Sequence, residues 1–226
     1  MPAVTRHLTT LTDARREFVQ HLSPRLLAAE VVVLLAARLA WGSWSRSDAV
    51  VVLALLAVNP FTEWVIHVFV LHCPADGGLR DRIAGYSHRR HHEDPRDLRF
   101  QFIHPAVIYG GMVVGAAIVL GFRTPAALTG VLAAAVLTLI YEWVHFLIHT
   151  DYAPKHAAYR RLHRAHRLHH FRNEQYWLGV TTRTADRVLH TNPRKEDVPI
   201  SPTAKTALAG LSPRQTQVPK KTSASA

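Results

Sequence analysis

At 226 residues and 48% hydrophobic, the chain is long enough for one domain, but its apolar residues come in runs too long for an ordinary soluble core. A net charge of +11 would direct a soluble protein toward nucleic acid; here Lys and Arg concentrate between apolar runs, so their placement reports topology and nucleic acid is excluded as a partner. The single cysteine, Cys73, excludes an intrachain disulfide and leaves no thiolate cluster.

Residues 1–23 are polar and carry Arg6, Arg15 and Arg16, unlike a cleavable signal peptide, and are expected to form a retained cytoplasmic segment with a helix on the lipid surface. Ser23-Pro24 reads as a helix start, with the hydroxyl as cap and proline where its missing N–H costs nothing. Four apolar runs follow, 24–41, 49–71, 105–122 and 125–150, each about the ~20 residues that cross a ~30 Å hydrocarbon layer. The chain is therefore expected to be an all-α integral membrane protein with four transmembrane helices. Glu30 and Arg38 make the first span the weakest of the four, because charges at that depth must snorkel or face the bundle.

The second run holds Asn59-Pro60, where proline removes a helix hydrogen bond, and then Glu63, His67 and His72 near its end. Three ionisable residues in one apolar helix end point to function. A polar, basic stretch carries His88, His91 and His92 as H-x-x-H-H. The third run contains Gly111 and Gly115, a close-packing spacing in membranes. The fourth ends in Glu142, His145 and His149, and the following polar segment repeats H-x-x-H-H as His166, His169 and His170. From Pro193 onward Pro, Ser, Thr and Lys dominate, so residues 193–226 are expected to be a disordered tail.

The two halves are one pattern written twice. Glu63 and Glu142 are 79 residues apart, His67 and His145 78, His72 and His149 77, and the H-x-x-H-H strings 78. Two spans and one histidine segment thus form each half, related by an axis along the membrane normal. Residues 1–25 hold four Lys and Arg, 72–104 six and 151–226 fourteen, against one each in the loops at Arg46 and Arg123. The positive-inside rule puts both termini and the central loop in the cytoplasm, so all four histidine clusters arrive on that side as a helical cap.

Ten histidines are too many for one structural zinc, which four ligands close. Two octahedral metals with five imidazoles each use them all and leave one position per metal; imidazole suits iron, zinc, copper and nickel alike. Glu63 and Glu142 are expected behind the ligands, accepting the free N–H of ligating histidines. His163, three residues before His166, is an outer group or an alternative ligand.

H-x4-H, H-x2-H-H, H-x3-H and H-x2-H-H, on or just after the second and fourth runs, resemble the membrane-bound fatty acid hydroxylase superfamily, which includes fatty acid 2-hydroxylases, sterol desaturases and carotenoid hydroxylases. The resemblance covers about residues 60–192 within a membrane domain of 24–192. It implies a non-haem di-iron centre, O2 as co-substrate and a lipid from the bilayer as substrate, with no catalytic residue beyond the metal centre and zinc possible as a replacement metal. The ten histidines carry over as ligands. The chain is expected to lack a fused cytochrome domain and to draw electrons from a separate ferredoxin- or cytochrome-type donor with its reductase. The stretch LGVTTRTADRVLHT is similar to the family's closing segment, which often ends in Gly-Thr where this chain has His190-Thr191. A lipid desaturase would share the same centre and the same first hydrogen abstraction. A histidine-lined metal transporter would place ligands near the midplane rather than at one edge. A zinc hydrolase would need one metal, not a duplicated set.

Overall fold

A computed structural model describes residues 8–209, and every regular element among them is helical. The short helix α1 (Leu11–Phe18) is capped by Thr10, whose hydroxyl accepts from the Asp13 amide, and buries Ala14 and Phe18. Helices α2 (Leu22–Trp41), α3 (Arg46–Ile66), α5 (Pro105–Phe122) and α6 (Pro125–Ile148) form a bundle. Between α3 and α5, α4 (Tyr86–Glu93) carries the first histidine string; after the bundle, α7 (Ala157–Phe171) carries the second. Two small helices close the described chain, α8 (Thr184–Val188) and α9 (Pro202–Ala209).

Helix α6 is the axis of the bundle, since α2 and α3 both pack along it and α5 touches it and α2. Its far end meets Arg38 and Asp48, and its histidine end meets Ser23. The outward faces carry Val32, Val33, Leu53, Val113, Leu120 and Phe122, all exposed. Such a surface suits hydrocarbon, where backbone groups are satisfied inside helices and side chains need no water. Among the described residues, three helices are long and apolar enough to cross a membrane: Arg46–Leu71, Pro105–Phe122 and Pro125–Ile148. Helix α2 has the length, but every 18-residue stretch of it contains Arg25, Glu30 and Arg38.

Arg38 is fully buried and its charge is met. It donates to Asp48 Oδ1 at 2.8 Å, to Thr129 Oγ1 at 2.6 Å and to the Gly42 carbonyl, with its guanidinium 3.7 Å from the centre of the Trp44 ring. Thr129 in turn donates to Asp48 at 2.6 Å, so α2, α3 and α6 are tied at one level. A buried pair is tolerable when its remaining lone pairs and protons are bonded, as here.

At the opposite end, Leu8, Ala14, Phe18, Phe146 and Leu147 form a core with Phe102 and Trp143 packed against it. Phe18 stands edge-on to Trp143, with ring centroids 5.0 Å apart. Helix α1 thus docks on the histidine end of α6. Helix α2 begins at Leu22 with His21 as its N-cap, so Ser23 is not the cap; its hydroxyl donates to Glu142 Oε1 at 2.5 Å. Gly115 packs on α6, where an added Cβ would lie 2.8 Å from Val131 Cγ1, whereas Gly111 has nothing within 4 Å of that position.

The expectation of disorder from Pro193 onward does not hold for residues 193–209. Val198 is buried with Ala165 and Trp177, Ala204 is fully buried, and α9 packs on α4 and α7. The Ser201 amide donates to the Arg172 carbonyl at 2.9 Å. A polar composition concealed these few apolar anchors. Residues 1–7 and 210–226, including His7 and the end of the expected tail, lie outside the described residues.

Candidate metal centre

On an α-helix, positions i and i+4 differ by about 40° and i and i+3 by about 60° in the other sense, so H-x-x-H-H presents two adjacent faces. The first and last histidines of the string share one face; the middle one turns to the next. In α4 these are His88 with His92, and then His91; in α7, His166 with His170, and then His169.

The ten histidines gather as two groups of five. His67, His72, His88, His92 and His169 form one, and His91, His145, His149, His166 and His170 the other, with the ligand atoms of each within 4.8 Å of one another. Applying the internal repeat to the first group, which takes 67, 72, 88, 92 and 169 to 145, 149, 166, 170 and 91, yields the second. Each half therefore supplies four histidines to its own group and the middle one of its string to the other.

The spacing within a group is that of ligands around one ion. The Nε2 atom of His88 lies 3.2 Å from those of His67, His72 and His92, and His169 Nε2 lies 3.1 Å from His92 Nε2 and 3.3 Å from His72 Nε2. In the second group His166 Nε2 is 3.0 Å from His149 Nε2 and 3.1 Å from His170 Nε2. With metal–nitrogen bonds of about 2.1 Å, neighbouring ligands of an octahedron stand about 3.0 Å apart. Hydrogen bonding cannot explain the set, because one ring nitrogen has a single proton or a single lone pair and His88 Nε2 has three such neighbours. The Nε2 atoms of His91 and His145 are buried with no hydrogen-bond partner. The residues fit two metal ions.

Helix geometry explains how unequal spacings give equal sites. His67 and His72 are five apart, which on an α-helix would turn them away from each other. The chain instead forms a π-helical turn, His67–Leu71, closed by the His72 amide on the His67 carbonyl at 3.0 Å. A π-turn has the i→i+5 repeat that returns both rings to one side. His145 and His149 are four apart and need only the regular end of α6. A second π-turn, Asp81–Gly85, leads into α4, where Arg89 pairs with Asp81 and Gly85 lies against Cys73. Cys73 is buried and free, and a Cβ at position 85 would meet its sulfur at 2.4 Å.

Burial sets the protonation state. It holds His88, His91, His92, His149, His166, His169 and His170 well below the ordinary imidazole value and pulls His72 down to about 4. Neutral imidazoles at neutral pH are the form that ligates.

The carboxylates do not stand behind the histidines as expected. Glu63 accepts from the Thr181 amide at 3.1 Å, from the Thr181 hydroxyl and from Asn59 Nδ2 at 2.7 Å. Glu142 accepts from Ser23 and from the Ile103 amide at 2.8 Å. Backbone carbonyls take the outer role: Leu178 O lies 2.5 Å from His67 Nδ1, and Tyr176 O lies 2.9 Å from His169 Nδ1. Asp186, fully buried, holds that loop by accepting from the Leu178 and Gly179 amides at 2.9 and 2.8 Å and from Thr191 Oγ1 at 2.7 Å. Asp186 lies within the stretch LGVTTRTADRVLHT, but nothing in the sequence singles it out from its neighbours. His163 belongs to neither group, its nearest ring contact being Tyr159, and burial lowers it to about 4.

Below the histidines an apolar cavity of about 920 Å³ runs between α2, α3, α5 and α6. His88, His91 and His145 line one end, and Phe122, Thr124 and Ala126 the other. From Ala126 to His145 is 19 residues of α6, about 28 Å of helix, close to the ~30 Å of a hydrocarbon layer. Tyr141, unmarked by any repeat, lines the cavity with its ring stacked 5.8 Å from that of His145.

Residues 52–191, more than half of the chain and all ten histidines, match the sequence profile of the fatty acid hydroxylase family. The chain belongs to the fatty acid hydroxylase family. Among curated relatives it is similar to the fatty acid 2-hydroxylases of Rattus norvegicus, 27% identical over 134 residues, and Mus musculus, 26% identical over 136 residues. These matches cover 57% and 58% of this chain and 36% of each relative, so the chain spans about a third of their length. Its fold is that of the hydroxylase domain visible in the structure of full-length scs7p. The TM-score is 0.64 at 22% identity, over 80% of this chain and 68% of that one. Both five-membered histidine groups lie wholly within the matched residues.

Proposed function

We propose that this fatty acid hydroxylase family member is a membrane lipid hydroxylase with a di-iron centre, each iron held by one five-histidine group. The observation that carries it is the placement of both groups at the inner end of an apolar cavity about as long as a hydrocarbon layer is thick. Two iron ions, when bound, supply O2 reduction and the removal of hydrogen from an unactivated C–H bond, with electrons from a separate donor. The chain's own residues do the rest. Ten imidazoles fix two positions, the Tyr176 and Leu178 carbonyls orient His169 and His67, and the apolar wall admits a lipid chain while excluding water. Desaturation would begin with the same abstraction, so the product decides between the two outcomes.

The same reading puts four helices across the bilayer. Helix α2 is 20 residues long and packs along α6; its buried charge near one end, Arg38, is matched by Asp48, and Glu30, nearest its middle, faces the cavity. The distribution of Lys and Arg supports cytoplasmic termini and a cytoplasmic histidine cap. Metal per chain is the test, on protein purified from iron-supplemented cells. We expect about two irons in the wild type and a loss on His91→Ala or His169→Ala, each of which removes a ligand supplied by the opposite half. A single zinc that survives both changes would refute the di-iron assignment.

A further inference from the structure

The two glutamates related by the internal repeat have different surroundings. Both oxygens of Glu63 are engaged by Thr181 and Asn59. Glu142 is buried and lines the cavity, yet only its Oε1 is bonded, taking both Ser23 and Ile103; Oε2 has no partner. A second acceptor stands in the same wall. Gln101 is also buried, and its Nε2 donates to the Phe146 carbonyl at 3.2 Å, which leaves Oε1 free and without a donor. The 101–103 segment that carries Gln101 is the one whose Ile103 amide binds Glu142. Two buried acceptors without donors are costly, and a carboxylate and an amide oxygen share one need.

We propose that Glu142 Oε2 and Gln101 Oε1 form a docking point for a hydrogen-bond donor on the lipid, an O–H or an amide N–H. The proposal rests on the lipid hydroxylase reading and sharpens it. Glu142 is one helical turn, about 4.5 Å along the axis, from His145. A donor held there places the oxidised carbon close to the polar end of the lipid, and the hydrocarbon remainder extends down the cavity toward Phe122. The repeat has thus given one glutamate to the loop around His67 and the other to the substrate.

The test uses the iron-loaded full chain in lipid nanodiscs and two probes differing in one donor, octadecan-1-ol and 1-methoxyoctadecane. Binding is measured for the wild type, for Glu142→Gln, which keeps the shape and can keep the Oε1 bonds, and for Glu63→Gln. We expect the wild type to prefer the alcohol about tenfold, the worth of one good buried hydrogen bond. Glu142→Gln, which offers a donor in place of an acceptor, loses or inverts that preference, while Glu63→Gln keeps it. Equal binding of the two probes by the wild type, or a preference unchanged in Glu142→Gln, overturns the proposal. Iron content and lipid oxidation in the same preparations separate the two possible failures. If both are present without a donor preference, only the docking point fails; if both are absent, the hydroxylase reading fails.

Discussion

A histidine that ligates a metal must be neutral, and here burial does that work before any ion arrives. The imidazoles of His88, His91, His92, His166, His169 and His170 sit well below their ordinary value in the fold, whereas in the unfolded chain they titrate near pH 6.5. Between those values the unfolded chain binds more protons than the folded one, so stability rises with pH and is fully present above about 6.5. The metal-free protein should therefore lose thermal stability as pH falls below about 6.5, through the window that ends for His72 at about 4. A midpoint independent of pH between 7.5 and 4.5 would contradict this. That these ten histidines gather was legible in the sequence, because imidazole spacing is written in the residues themselves. Their partition was not, since the crossing of His91 and His169 depends on a two-fold relation visible only in three dimensions. His190 shows the same limit. It stands at φ 58°, a left-handed conformation that glycine adopts without strain and that nothing in its sequence neighbourhood announced.

Among the elements, the loop between α7 and α9 does more than its composition suggested. It supplies the Tyr176 and Leu178 carbonyls that orient His169 and His67, two members of the same group, and Asp186 is its clamp. Asp186→Ala leaves the Leu178 and Gly179 amides without their acceptor, a cost of about 3 kcal/mol. It should weaken metal binding at that group by tenfold to a hundredfold and lower the metal content from about two per chain toward one. Elemental analysis of the purified variant reads this directly, and two tightly held metals would rule it out. The helices themselves were foreseeable from apolar runs about 20 residues long. Two features were not: the π-turn that reconciles H-x4-H with H-x3-H, and the buried anchors Val198 and Ala204 in a stretch dominated by polar residues and proline. Both are tertiary decisions. Glu63 and Glu142 repeat that lesson: expected behind the histidines, they bond Thr181 and Asn59, and Ser23 and Ile103, instead, because a spacing gives the face of a helix and not what lies opposite.

For the whole molecule, the internal repeat runs through the architecture: two helix pairs close around one cavity, and two histidine segments close its end. The cavity predicts its own vulnerability. Gly111 lines it at mid-depth with nothing within 4 Å of where a Cβ would stand. Gly111→Phe should therefore leave both metals bound while blocking long lipid chains, seen as lost turnover of long-chain substrates with unchanged iron content. Equal turnover of long chains would show that the lipid lies elsewhere. The central claim, that the two five-histidine groups at the cavity end use O2 to hydroxylate a lipid, is tested most directly by isotope. Cells carrying the wild type or His166→Ala are grown under 18O2 and their lipids compared by mass spectrometry. We expect one lipid species to gain a single 18O atom in the wild type and none with His166→Ala; a product whose new oxygen comes from water, or one that survives His166→Ala, would contradict it.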